Sequence, residues 1–167
     1  MELWVLRVVH IPSSILWAGF AVMLGFFIFP ALAEAGPSSG GFMAAVMKRR
    51  FPLWMNLLGL VAVLSGVRLY MLSASSAWLA TGTGVAYSLG AAAALVAFSV
   101  GHAVSRPTAA KLNALQAQVG AAGGPPSAEQ ATELARLRVR AQSAATVNAW
   151  CALVAALCMG AGRYFPA

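Results

Sequence analysis

The sequence predicts an all-α fold: an integral membrane four-helix bundle with a cytoplasmic helical hairpin between helices three and four. Three observations carry that expectation. The 167 residues are 60% hydrophobic and only 9% charged, where a soluble domain carries about 25% charged residues. The mean hydropathy is +0.79. The apolar residues also fall in four runs, each close to the roughly 20 residues that cross a bilayer. The length suits one domain, so residues 1–167 are read as a single transmembrane unit.

Helix one is expected over about residues 3–29, ended by Pro30. Ala31-Leu32-Ala33 after an apolar run also fits a small-x-small cleavage site. The apolar stretch reaches back to Leu3 and contains Trp17, which makes it too long for the core of a signal peptide. The segment is therefore expected to be retained. Residues 31–41 are rich in Gly, Pro and Ser and read as a loop, followed by a short amphipathic piece from Phe42 to Arg50. Helix two is expected over about 52–72, opened by Pro52, a residue that suits the first helical position. Ser73 to Thr81 reads as a short polar turn.

Helix three, about 82–104, is rich in Ala and Gly. Small residues let helix backbones approach closely in lipid, so this helix is expected among its neighbours. Residues 105–143 form the polar hairpin. Arg106-Pro107 reads as a break or kink, and Leu112, Leu115 and Val119 follow helical spacing. Gly120 to Pro126 is a turn. Ser127 and Gln130 form a capping-box signature. The helix they open is expected to run on into helix four, about 144–162.

The net charge is +7, from eleven Lys and Arg against four Glu and no Asp. These cations flank apolar runs, a pattern that sets topology and does not suit a nucleic-acid surface. Eight of them, Lys48, Arg49, Arg50, Arg106, Lys111, Arg136, Arg138 and Arg140, fall in the two loops on one side. Only Arg7, Arg68 and Arg163 fall on the other. The basic side is the cytoplasmic one, which places both termini outward in a cell inner membrane.

The chemistry on offer is limited. Four scattered Glu and no Asp argue against most metal-hydrolase, proton-pump and Ser-His-Asp mechanisms. Gly82-Thr83-Gly84 opens a helix with no preceding strand, so it is no dinucleotide fingerprint. Cys151 and Cys158 lie two turns apart on one helix, roughly 10 Å, too far to bridge.

Ionisable residues within spans are functional candidates, and the topology sorts them into two levels. His10, Arg68 and Arg163 fall toward the outer end with Arg7, Tyr70 and Tyr164. Asn56, His102 and Asn148 fall toward the inner end. His10 and His102 are thus separated by most of the bilayer and cannot ligate one iron. The outer group suits an anionic, partly apolar ligand. Haem b would fit, with His10 as axial ligand and Arg68 and Arg163 on its propionates; a quinone head group would also fit. The plainer alternative has the arginines snorkelling to phosphates and His10 bonded to a neighbouring backbone. At the inner level Asn56 and Asn148 are expected to hydrogen-bond across helices. Met43 and Met47 share a helix face, as a copper(I)-binding thioether pair or as gap-filling side chains.

Several short motifs occur in order: Val9-His10, Leu16-Trp17-Ala18-Gly19, Phe29-Pro30-Ala31-Leu32, Arg50-Phe51, Ser65-Gly66-Val67, and Arg163-Tyr164 near the end. This order resembles the copper-resistance D-like membrane domains and related four-helix families of unknown function. The resemblance implies a link to copper handling, and in distant relatives to haem held by a helix-one His, whose matching position is His10. The expected function is non-catalytic: an accessory subunit of a larger membrane complex, respiratory or otherwise electron-transferring, with lipid and other subunits as partners. The rivals are a haem b- or quinone-binding redox protein using His10, and a carrier of copper or a small solute.

Overall fold

The computed structural model describes residues 1–36 and 40–165. Every regular element among them is helical. Four helices are long and apolar enough to cross a bilayer: α1 (Glu2–Ala35), α3 (Phe51–Ser73), α5 (Gly82–Ala122) and α6 (Ala128–Ala161), the last extended by a 3₁₀ turn, Gly162–Tyr164. Two short helices connect them, α2 (Gly40–Lys48) and the single turn α4 (Ser76–Leu79). Helix α1 packs against α3 and α6, α5 packs mainly against α6, and α3 meets α5 more sparsely.

Helix two of the sequence reading is found almost as expected. Helices one and three are longer than expected, because neither proline stops its helix. Pro30 would clash with the carbonyl of Phe26, and Pro107 with that of Ala103, in a regular α ladder. Both carbonyls lie inside a π turn, Leu24–Ile28 in α1 and Gly101–Ser105 in α5. There the Phe29 N–H donates five residues back to the Leu24 carbonyl, and the Arg106 N–H to the Gly101 carbonyl. The widened turn makes room for each ring, and the helix continues. The expected loop at 31–41 is therefore helical as far as Ala35, while 37–39 lie outside the described residues. Where a break or kink was expected at Arg106-Pro107, the helix is continuous through a π turn.

The polar stretch follows its sequence signals. Helix α5 ends at Gly123, whose φ of +69° suits glycine. The Ser127 Oγ accepts from the Gln130 N–H at 3.2 Å, and the Gln130 Oε1 accepts from the Ser127 N–H at 3.0 Å. This reciprocal cap starts α6, which runs back against the end of α5 with Thr108, Leu134 and Leu137 buried.

The interior is built from small residues. Helix α6 buries Ala144, Ala145, Ala149, Ala152 and Ala155, and α5 buries Gly84, Ala86, Gly90 and Ala97. A Cβ on Gly25 of α1 would run into the Ala145 carbonyl and would sit 2.6 Å from the Ala149 Cβ. One on Gly90 would lie 3.0 Å from Met159. Large side chains point the other way: Leu64 and Leu157 are about three-fifths exposed. Small residues inside and large apolar ones outside is the arrangement expected where lipid is the solvent.

Candidate functional site

Of the polar residues expected at the outer level, His10 and Arg68 reach across the seam between α1 and α3. His10 lies on α1, half-buried, with its ring laid across Gly66 of α3. A Cβ at Gly66 would sit 2.8 Å from the His10 Cε1, so the absence of a side chain there is what admits the imidazole. The His10 Nδ1 lies 2.9 Å from the Ala62 carbonyl and 3.2 Å from the Ser65 Oγ. A carbonyl can only accept, so Nδ1 carries the proton, and in the neutral form of the ring Nε2 is the acceptor. Ser65 donates to the Val61 carbonyl at 2.5 Å, and Ser14 stands 3.5 Å from both ring nitrogens. Two turns further along α1, Trp17 repeats the device. Its indole nitrogen would be 2.9 Å from a Cβ on Gly59, and its ring meets Phe98 of α5 edge-on, centroids 6.3 Å apart.

The two arginines expected beside His10 have other neighbours. Arg68 pairs with Glu2 at 2.7 Å, joining the end of α3 to the start of α1, with both side chains about half exposed. Arg163 is exposed, its guanidinium carbon 5.3 Å over the Tyr164 ring. Tyr70 shares a 2.7 Å hydrogen bond with Ser88 of α5 and packs edge-on against Trp78. The outer group is thus distributed over several helix pairs.

The inner residues do not form one cluster. The Asn56 Nδ2 donates to the Pro52 carbonyl of its own helix at 2.8 Å, where a bond across helices was expected. A carbonyl one turn back can be reached without fixing a second helix, so the local bond forms. The His102 Nδ1 donates to the Phe98 carbonyl at 3.1 Å, with the two rings 4.2 Å apart. Asn148 faces Gly101 in the α5 π turn, and its Oδ1 is buried without a hydrogen-bond partner, as is the Ser105 Oγ. Met43 and Met47 lie one turn apart on α2, both half-buried. Among the described residues no three His, Cys, Asp or Glu side chains converge on a point. An apolar groove of about 610 Å³ runs between the start of α5 and the end of α6, past Val85, Leu89, Leu157 and Phe165.

Sequence reasoning singled out His10 and Ser65-Gly66-Val67 separately. It did not see that they touch. The signal available was a Ser-Gly step in one apolar helix and a histidine in another at the same expected depth.

What this geometry can do is hold helices at a fixed rotation, and present one imidazole nitrogen oriented by a backbone carbonyl, as in many metal-ligating histidines. No family model, curated protein or solved structure matches the chain.

Proposed function

We propose that the chain is a non-catalytic four-helix membrane protein that works by contact, as an accessory subunit of a larger membrane complex such as an electron-transfer assembly. In this reading it lies in the cell inner membrane with both termini outward and the end of α5 and start of α6 as a cytoplasmic hairpin. One observation supports it above the others: the polar side chains at the outer level bond helix to helix, His10 to Ala62, Arg68 to Glu2 and Tyr70 to Ser88. Large apolar side chains are turned outward, toward lipid or a neighbouring subunit.

Extraction in a mild detergent, followed by native electrophoresis and mass spectrometry, tests the subunit reading. Partner chains in fixed stoichiometry are expected; a monodisperse single chain would overturn it. Sidedness is tested separately with cysteines placed at Arg49 and Arg138. An impermeant thiol reagent is expected to reach them only after the membrane is opened.

A second reading is favoured by the orientation of His10. Its ring is fixed through Nδ1, and Nε2 has only the Ser14 hydroxyl beside it, at 3.5 Å, an orientation that suits an axial haem ligand. Purification from haem-replete membranes would then yield a Soret band that His10→Ala abolishes. A flat visible spectrum removes this reading.

A further inference from the structure

We propose that the end of the molecule carrying Lys48, Arg49 and Arg50 is a docking collar for anionic phospholipid headgroups. The proposal rests on the reading that the four long helices cross a bilayer, and it adds which leaflet chemistry one end requires.

The first observation is an imbalance of partners. Eight cations gather at this end, yet among the described residues only Arg136 is paired with a carboxylate, Glu133 at 2.7 Å. At the opposite end Arg68 has Glu2, which leaves two unpaired cations among the described residues, Arg7 and Arg163, against seven here. The unpaired cations therefore need counter-charge from outside the chain.

The second observation is depth. Lys48, Arg49 and Arg50 immediately precede α3. Arg106 directly follows the π turn of α5. Arg140 lies four residues before Ala144, where the buried alanine seam of α6 begins, about 6 Å along the axis. Trp54, more than half exposed, sits one turn into α3 from Arg50, and an exposed indole prefers the headgroup level. Three helices thus bring their cations to the depth at which phosphates lie.

The third observation is backbone conformation. Arg50 has φ +57° and ψ +28°, the left-handed region that glycine enters without penalty. It is the one non-glycine residue with positive φ among those described. An arginine held there keeps its charge beside Lys48 and Arg49 at a position where glycine would fit the backbone better. Arg49 donates through one Nη to the Ala45 carbonyl at 3.0 Å, which leaves its other N–H groups for a phosphate.

A guanidinium binds phosphate through paired N–H donors, and an anionic leaflet attracts cations held at its surface. Zwitterionic headgroups present the same phosphate with a compensating amine, so the collar should select for net negative charge.

The test uses the full chain in nanodiscs of phosphatidylcholine mixed with phosphatidylglycerol. The lipid retained after stripping is counted by native mass spectrometry. Several-fold enrichment of phosphatidylglycerol over the disc composition is expected, and it should fall as salt is raised. The triple variant Lys48→Gln, Arg49→Gln, Arg50→Gln should lose most of the enrichment. The charge-conserving triple Lys48→Arg, Arg49→Lys, Arg50→Lys should keep it. Equal retention of the two lipids by the wild type, or full enrichment in the Gln triple, overturns the proposal. So does loss of enrichment in Arg7→Gln, Arg163→Gln instead, which would move the anionic face to the other end while leaving the membrane reading standing. A chain that stays soluble without detergent or lipid would instead remove the membrane reading itself. Should the Gln triple fail to fold, the salt dependence of the wild type still decides: no salt effect sinks the idea.

Discussion

The α1–α3 seam and the α1–α6 seam share a helix but are held by different means. Against α3, α1 uses polar side chains: His10 reaches the Ala62 carbonyl at 2.9 Å, and Glu2 meets Arg68 at 2.7 Å. Against α6 it uses proximity, with Gly25 fitted so tightly to Ala145 and Ala149 that no side chain could be added. Lipid tails are as apolar as leucine, so burial alone drives neither contact. What remains is hydrogen bonding on one seam and dispersion between closely spaced backbones on the other. The contrast implies unequal fragility, because backbone cannot yield as a side chain can.

The sharpest way to break the comparison is Gly25→Val. Its branched side chain would meet the α6 backbone, and helices as closely packed as these have no soft neighbour to give way. A loss of about 3 kcal/mol is expected, at the upper end for overpacking, read as a lower midpoint in denaturing-detergent titration. His10→Ala should be milder, about 1 kcal/mol, in keeping with interhelical hydrogen bonds in membranes. A double-mutant cycle with Ser65→Ala should show coupling, since both side chains share the Ala62 carbonyl region. No coupling would mean that the imidazole acts by shape alone.

Asn148→Leu is expected to act in the opposite direction. It removes a buried oxygen that has no partner, so a gain of about 1 kcal/mol is expected. Destabilisation would show that the amide is satisfied by something the helices enclose. The smallest effect belongs to Arg68→Gln. An ion pair this exposed contributes at most about 1 kcal/mol, and the loss should vanish at high salt.

The legibility of the sequence varied with the kind of signal. Span positions were readable from hydropathy, and the start of α6 from Ser127 and Gln130, because length and local capping need no knowledge of neighbours. Helix ends at Pro30 and Pro107 were misread, since the rule that proline stops a helix assumes that the ladder cannot widen upstream. The facing of each helix was least accessible. In α3 apolar residues surround the axis, so periodicity gives no inward side, and the contact between His10 and Gly66 rests on rotation that hydropathy does not encode. For the same reason Arg68 was assigned by depth alone, and its partner Glu2 was overlooked at the extreme start of the chain.

The two π turns have a further consequence. Each takes up one residue more than the ladder around it requires, so it acts as a phase slip that swings everything downstream by about 100°. In α5 that slip decides which side of residues 106–122 meets the returning α6. Removing a single amino acid from Gly101–Ser105, with Pro107→Ala so that the closed ladder has no ring to accommodate, would preserve the helix yet aim Thr108 away from its burial. Here the one extra residue of a π turn is a rotary control, setting the azimuth of a whole segment while leaving its composition almost untouched.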